Sequence, residues 1–403
     1  MEFGPIWRAL TRNKIGAILI ALQIAVTMAI MVNAISIMQE KSRLMARPSG
    51  LDEANIFTIR TTGFAEDFNE RVTIEEDLAA LRAMPGVVNA VQTNGPSLSG
   101  SGWGMGLQLE PGTEIDATGT GLFFTDEHGL ETFGVQLIAG ENFSATDVNW
   151  RERSANRWPE KTIITRALAE ALFPDDAMSA LGQTVYIDDT DAMTVIGIVE
   201  KMQASWPSWS GLEKVMLVPE RLVEFSTLYM IRTEPGMRDR LMPQVEEMLA
   251  ERNTGRILRS LRSMDEIRER AYRSESAMIK ILTFTIALLV AVTSLGIVGL
   301  ASFSVSRRTR QIGTRRALGA TKLAILRYFM TENFIISLLG VTTGAALTIG
   351  LNMLMIETFA LERIAWYLVP AAMLAMLGIG QAAVLGPARR ASAVPPAVAT
   401  RNV

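Results

Sequence analysis

Residues able to do chemistry are few in this chain and unevenly placed. Histidine occurs once, as His128, and cysteine not at all. The missing cysteine excludes a disulfide framework, a thiolate nucleophile and a Cys-based zinc site. A lone imidazole outside any motif reads as a loop or surface residue rather than a catalyst. No Gly-x-x-x-x-Gly-Lys-[Ser/Thr] loop is present to cradle ATP phosphates. Neither is there a His-Glu-x-x-His pair or a Gly-x-Ser-x-Gly nucleophile elbow. What stands out is charge. Residues 307–337 read RRTRQIGTRRALGATKLAILRYFMTENFIIS and carry Arg307, Arg308, Arg310, Arg315, Arg316, Lys322 and Arg327 before the first acid, Glu332. Gly319 suits a left-handed cap closing one short helix. Thr321 suits the N-cap of the next. The chemistry on offer is electrostatic docking: a short amphipathic helix held rigidly under a membrane is a handle for a soluble partner.

The elements that must position this stretch are apolar. Residues 15–38 hold no charge over 24 positions, enough at ~1.5 Å per residue to cross a ~30 Å hydrocarbon core. That is longer than the apolar part of a signal peptide, so an uncleaved anchor is expected. Further spans are expected at 279–305, 332–356 and 365–386, with Trp366 and Tyr367 as interfacial anchors of the last. The third contains Gly340-x-x-x-Gly344, a close-packing helix motif. Gln23 and Asn33 are expected to face other helices, where their amides find partners. Residues 1–14 read as an amphipathic helix on the inner membrane face, with Ile6, Trp7 and Leu10 on one side. The spans carry almost no charge, which argues against an ion-coupled carrier.

Charge also sorts the chain. Residues 39–276 hold 38 acids and 24 bases, whereas the rest has a net charge of +11. An acidic middle between basic ends fits an exported domain flanked by cytoplasmic segments: 1–14, the basic loop 306–331 and the tail 387–403. Nucleic-acid binding is disfavoured, because the bases sit beside apolar spans and not on a domain face.

Within 39–276 a strand–helix–strand order occurs twice. The first has a strand at 55–60, a helix with Thr73 as N-cap and Glu76 completing a capping box, and a return strand at 87–91 after Pro85-Gly86. The second has a strand at 227–232, a helix through Met237, Leu241, Val245 and Met248 with Pro243 inside it, and a strand at 256–261. Two such units can share one sheet. Between them, roughly 110–220, lies an insertion with a helix at 165–173 and a hairpin around 188–191. Trp103, in a Gly- and Ser-rich loop, and Trp206 and Trp209, in ASWPSWSG, are candidate contacts for an exported partner. A charged helix from residue 264 is expected to run unbroken into the second span, making 264–305 a lever.

The string from Thr309 to Thr321, TRQIGTRRALGAT, closely resembles the cytoplasmic loop of FtsX-like permeases, the membrane subunits of MacB-type ABC transporters. Gln311 and Thr314 depart from that pattern, where Glu and an aliphatic residue are more usual. The run Leu78-x-x-Leu81-x-x-Met84-Pro85-Gly86-Val87 resembles the first half of the MacB-like periplasmic core domain, and residues 133–143 and 166–173 resemble its second subdomain. Gly386-Pro387-Ala388-Arg389-Arg390-Ala391-Ser392 with Pro395-Pro396-Ala397 is similar to the family's C-terminal motif. The resemblance implies a membrane α-helical fold of four transmembrane helices, with a large α+β extracytoplasmic domain inserted between helices 1 and 2. It implies Arg310, Ile312, Gly313, Arg315, Arg316, Ala317, Leu318, Gly319 and Ala320 as residues coupling to a separate ABC ATPase subunit, which binds the ATP and Mg. It implies a second permease subunit, a possible membrane-fusion adaptor, surrounding lipids, and a place in the bacterial inner membrane with both termini cytoplasmic. Mechanically driven export is the activity implied; transmission of a signal to a periplasmic enzyme and release of lipoproteins are the alternatives.

Overall fold

The computed structural model describes residues 14–113, 116–359 and 363–395. Residues 1–13 of the helix expected over 1–14 and the Pro396-Ala397 pair lie outside the described residues, as do residues 360–362 before the last span. The chain divides into two compact units: Arg47–Ser274, and the flanking segments up to Ala46 and from Glu275. In chain order the elements begin with α1 (Lys14–Met45), β1 (Ile56–Gly63), α2 (Glu70–Ala83), β2 (Val87–Thr93), β3 (Trp103–Gln108) and β4 (Thr118–Thr125). There follow α3 (Gly129–Phe133), β5 (Leu137–Gly140), β6 (Asn149–Arg151), β7 (Lys161–Thr165), α4 (Arg166–Leu172), β8 (Thr184–Ile187) and β9 (Asp191–Val199). The last are β10 (Val215–Leu222), β11 (Ser226–Thr233), α5 (Arg238–Arg252), β12 (Arg256–Ser263), α6 (Met264–Ala271), α7 (Arg273–Ala317), α8 (Lys322–Phe359) and α9 (Leu368–Ser392).

In the Arg47–Ser274 unit the two strand–helix–strand segments share one antiparallel sheet, ordered β12-β1-β11-β2. Period-2 alternation sends Phe57, Ile59, Tyr229 and Ile231 to one face, where they meet Ile74, Leu78 and Leu81 of α2 and Val245 and Leu249 of α5. Arg256 and Asp77 are buried beneath these helices as an ion pair, with side chains 0% and 2% exposed. Tyr229 donates to the same carboxylate at 2.8 Å. Burial, and then the Asp77 charge, raise the Tyr229 phenol well above its ordinary pKa, so it stays a donor.

The insertion forms a second sheet, ordered β4-β3-β8-β9-β7-β10-β6, in which β4 also pairs with β10. Six strands therefore close into a ring, which removes their free edges. Leu107, Phe124, Ile164, Val195, Ile198 and Met216 fill its core, with Leu168 and Leu172 of α4. Two clasps fasten ring to sheet. The Gln92 amide donates to the Leu222 carbonyl at 2.7 Å and accepts from the Leu222 N–H at 2.9 Å. Asp126 bridges Arg82 of α2 at 2.7 Å and Arg221 of β10 at 2.8 Å.

Several expectations are corrected here. Helix α2 starts at Glu70 with Asn69 as N-cap, its side chain accepting from Val72 N–H at 3.1 Å. Thr73 is buried inside the first turns, because the apolar stripe of Ile74, Leu78 and Leu81 needs the turn before it. The capping box belongs instead to α6, where Ser263 and Glu266 satisfy each other's N–H at 3.2 and 3.1 Å. Pro243 leaves α5 unbroken to Arg252. Trp103 is the first residue of a strand, not part of a loop. The unbroken helix expected over 264–305 is two helices. Tyr272, buried, with φ −105° and ψ 19°, separates α6 from α7.

In the other unit, α1, α7, α8 and α9 are each long and apolar enough to cross a membrane. Their backbone groups are satisfied within each helix, as hydrocarbon requires. Helix α8 lies against α1 along Gly340 and Gly344. A Cβ on Gly340 would fall 2.9 Å from Ile24 Cβ, and one on Gly344 3.1 Å from Ala25 Cα. Asn33 donates to the Ala29 and Thr348 carbonyls, Thr27 and Thr293 hydroxyls meet at 2.8 Å, and Asn333 donates to the Gly380 carbonyl at 2.9 Å. The fourth helix begins at Leu368 and continues through Pro387 to Ser392, so the expected tail is helical up to that point.

Two outcomes test this account. Asp77→Asn leaves the Arg256 charge buried without its counter-ion and should cost about 3–5 kcal/mol in denaturant unfolding of the full chain in detergent. At Asp126 burial raises the carboxyl pKa, but Arg82 and Arg221 outweigh it and hold the group below its ordinary value. A depressed folded pKa gives stability that is present above the unfolded pKa of ~3.9 and lost as pH falls through the folded value. Melting temperature should therefore fall less steeply with acid below pH ~4 in Asp126→Asn than in the parent chain.

Candidate coupling site

The basic stretch is a helical hairpin rather than a loop. Helix α7 runs 45 residues, from Arg273 through the second span to Ala317. It ends in a Schellman turn. Ala320 N–H donates to the Arg315 carbonyl at 3.0 Å, Gly319 N–H to that of Arg316 at 3.2 Å, and Gly319 takes φ 95°. Leu318 stands at the tip, 84% exposed. Thr321 then caps α8, its hydroxyl accepting from Ala324 N–H at 3.1 Å. The basic stretch and the spans on either side are thus the same two helices.

A helical period of 3.6 divides α7 here into two faces. Val305 and Ile312 turn inward and cluster with Ile325 and Phe329 of α8 and Ala388 and Ala391 of α9. Gly313 is buried beside them. Arg316 donates to the Ala320 carbonyl at 3.2 Å, and Arg308 pairs with Glu332 at 3.0 Å. The opposite face, exposed, carries Arg310, Gln311, Thr314, Arg315 and Leu318. Arg315 stacks over the Tyr328 ring, 5.2 Å from its centroid. Ile312 and Gly313 therefore belong to the hairpin's own core, whereas Arg310, Arg315, Ala317, Leu318 and Gly319 are open to a partner and Arg316 and Ala320 are half-buried at the turn. Gln311 and Thr314 lie on the exposed face between the arginines, and Thr314 spends its hydroxyl on the Arg310 carbonyl.

The tryptophans are seated on glycines. A Cβ on Gly104 would meet the Trp206 ring at 3.0 Å, and one on Gly119 the Trp209 ring at 3.2 Å. Trp206 and Trp209 pack edge to face, 6.2 Å apart, and are half-buried. Trp103 packs edge-on against Phe124 at 5.0 Å and stays 38% exposed. His128 Nδ1 accepts from the Asn89 amide NH2 at 3.1 Å, and the His128 backbone N–H donates to Asp126 at 3.0 Å. It is part of the clasp around Asp126. Among the described residues no group of acids and histidine could hold a metal ion.

Two families match this chain. MacB-like periplasmic core domain matches residues 17–251, and FtsX-like permease C-terminal matches residues 283–396. The chain belongs to the MacB/FtsX-like permease family of ABC transporters. Among its relatives is the macrolide export ATP-binding/permease protein MacB 1 of Yersinia pestis, 25% identical over 361 residues, 88% of this chain and 52% of that protein. The MacB of Escherichia coli K12 is 23% identical over 376 residues, 89% and 53% of the two chains. The chain thus spans about half the length of the curated relatives it matches. Similar solved structures include the periplasmic region of MacB from Actinobacillus actinomycetemcomitans, 13% identical over 57% of this chain and 97% of that one, with a TM-score of 0.34. The extracellular domain of the transporter YknZ is 17% identical over 50% and 99%, with a TM-score of 0.31.

The hairpin and the glycine seam make this permease's membrane unit sensitive to small changes of volume. Gly344→Leu should force α8 off α1 and cost about 1–3 kcal/mol. The measurement is thermal unfolding in detergent. The natural absence of cysteine allows a second readout, disulfide crosslinking between cysteines placed at Met28 and Thr348, which should drop in the Leu variant.

Proposed function

We propose that this chain is the permease subunit of an ABC transporter of the inner membrane. It receives ATP-driven motion from a separate ATPase subunit at the α7–α8 turn and passes it to the exported unit. The observation that carries this reading is the exposed face Arg310, Gln311, Thr314, Arg315 and Leu318, presented on a helix that is also the second span. At ~1.5 Å per residue, α7 is a rod of ~68 Å. A movement imposed at Leu318 is carried along one hydrogen-bonded helix to Arg273. The rod joins α6 through a single non-helical residue, Tyr272, which supplies a hinge rather than a rigid continuation.

The basic face sets the orientation by the positive-inside rule. The hairpin and the C-terminal Arg389 and Arg390 lie in the cytoplasm, and Arg47–Ser274 lies on the far side. The partner carries a complementary acidic groove, because an exposed arginine face gains little unless a carboxylate meets it. A second permease subunit completes the assembly. Motion of the exported unit expels a substrate taken from the periplasm or outer leaflet, and Trp103, Trp206 and Trp209 are the surface offered there to an adaptor or to the substrate.

The test uses the triple variant Arg310→Ala, Arg315→Ala, Leu318→Ala, reconstituted with the partner ATPase. It should insert and melt like the parent yet lose roughly tenfold or more of the permease-dependent stimulation of ATP hydrolysis, as removal of an anchor and two charged contacts implies. Stimulation at the parent level in a properly inserted variant would sink the docking face.

A further inference from the structure

The four-stranded sheet has a second face, turned away from α2 and α5. Thr58, Arg60 and Leu228 point from it into a cavity of about 420 Å³, closed on its other sides by α6 and the 96–101 loop. That volume is typical of sites for small ligands. Arg60, Arg262 and Arg270 line it, and no carboxylate does.

The arginines are placed there by a register shift. Where β1 takes two steps, Thr58 to Arg60, β12 takes three, Arg262 to Arg259. The extra residue is a bulge, with Ser260 at φ 56°. Regular alternation from Leu258, which faces the helices, would send Arg262 into the core. The bulge sends Leu261 there and leaves Arg262 opposite Thr58, on the cavity side.

Several other arginines of the unit are paired with acids. Arg82, Arg151, Arg221, Arg232, Arg238, Arg256 and Arg268 all hold carboxylates. Among the described residues Arg60, Arg262 and Arg270 make no ion pair; Arg60 donates to the Ser226 hydroxyl at 3.4 Å. Burial, opposed by the Glu224 charge and helped by that of Arg262, holds Arg60 below its ordinary pKa. Like charges gathered in a partly enclosed wall repel unless an anion sits among them. The remaining wall mixes the hydroxyls of Thr58, Ser99, Ser101 and Ser260 with apolar Leu98, Leu228 and Ile267, which are almost fully buried. Leu98 is held at φ 64° by a bond from its N–H to the Ala204 carbonyl at 3.1 Å, so the loop side of the cavity is pre-shaped.

We propose that this cavity binds a small amphipathic anion. Arg60, Arg262 and Arg270 hold its carboxylate or phosphate head, and Leu98, Leu228 and Ile267 its short apolar chain. Helix α6 supplies Ile267 and Arg270, so the bound head touches the element that precedes the Tyr272 break.

The test is calorimetric titration of the full chain in neutral detergent, without any ATPase, so its outcome is independent of the coupling reading. The probes are hexyl phosphate, heptanoate, inorganic phosphate and hexyltrimethylammonium. At least one of the two alkyl anions should bind at a single site, at least tenfold tighter than inorganic phosphate, and hexyltrimethylammonium should not compete. Which anion binds tighter assigns the head group. Arg262→Gln should weaken binding tenfold or more while leaving the melting temperature equal or higher, because it relieves repulsion. Arg270→Gln, an exposed change on α6 that spares the sheet, should weaken it severalfold. Inorganic phosphate binding as tightly as hexyl phosphate, binding of the cation at the same site, unchanged affinity in both variants, or no binding of either alkyl anion would each overturn the proposal.

Discussion

Six buried residues of three helices hold the hairpin together. Val305, Ile312, Ile325, Phe329, Ala388 and Ala391 pack together where α7, α8 and α9 meet. Without that cluster the exposed arginines would sit on two frayed helix ends. With it, the turn at Leu318 is braced by packed side chains and by the Arg308–Glu332 pair, whose buried carboxylate is matched by one guanidinium. Burial of a few alanine and isoleucine methyls contributes about 1 kcal/mol each at ~25 cal/mol per Å², modest in energy but decisive for geometry. The same cluster explains why α9 outlasts its apolar span and carries on through Pro387: Ala388 and Ala391 have somewhere to pack.

The membrane unit and the Arg47–Ser274 unit solve the edge problem differently. In the first, each helix satisfies its own backbone, and the helices approach through glycine and through a few interhelical hydroxyl and amide bonds. In the second, the ring of β3, β4, β7, β8, β9 and β10 closes on itself, while the four-stranded sheet is covered on one face by α2 and α5 and keeps an arginine-lined cavity on the other. The two sheets are fastened at Gln92 and Asp126, where side chains complete backbone bonds across the seam. A clasp made of hydrogen bonds and ion pairs can shear without opening a dry core.

Much of this was legible beforehand where the pattern is local. Chargeless stretches of twenty residues have one stable form in lipid. Gly319 and Thr321 signal the hairpin turn because the left-handed cap and the hydroxyl cap are single-residue chemistry. The twofold strand–helix–strand order foretold the shared sheet, since its apolar periods point both segments at the same helices. Competing local signals were harder to separate. Thr73 with Glu76 and Asn69 are both plausible caps, and only the depth at which Ile74 is buried decides between them.

The sequence by itself thus determined the four spans, the acidic domain between the first two, the basic hairpin and the family they announce. Tertiary structure alone decided which residues of the hairpin face outward. Ile312 and Gly313 are as prominent in the motif as Leu318, yet packing against α8 and α9 hides them. It also decided that the rod is broken at Tyr272 and that Arg262 sits in a cavity rather than the core. These outcomes depend on contacts between residues far apart in the chain, a buried aromatic ring in one case and a one-residue bulge in the other. No local period encodes them.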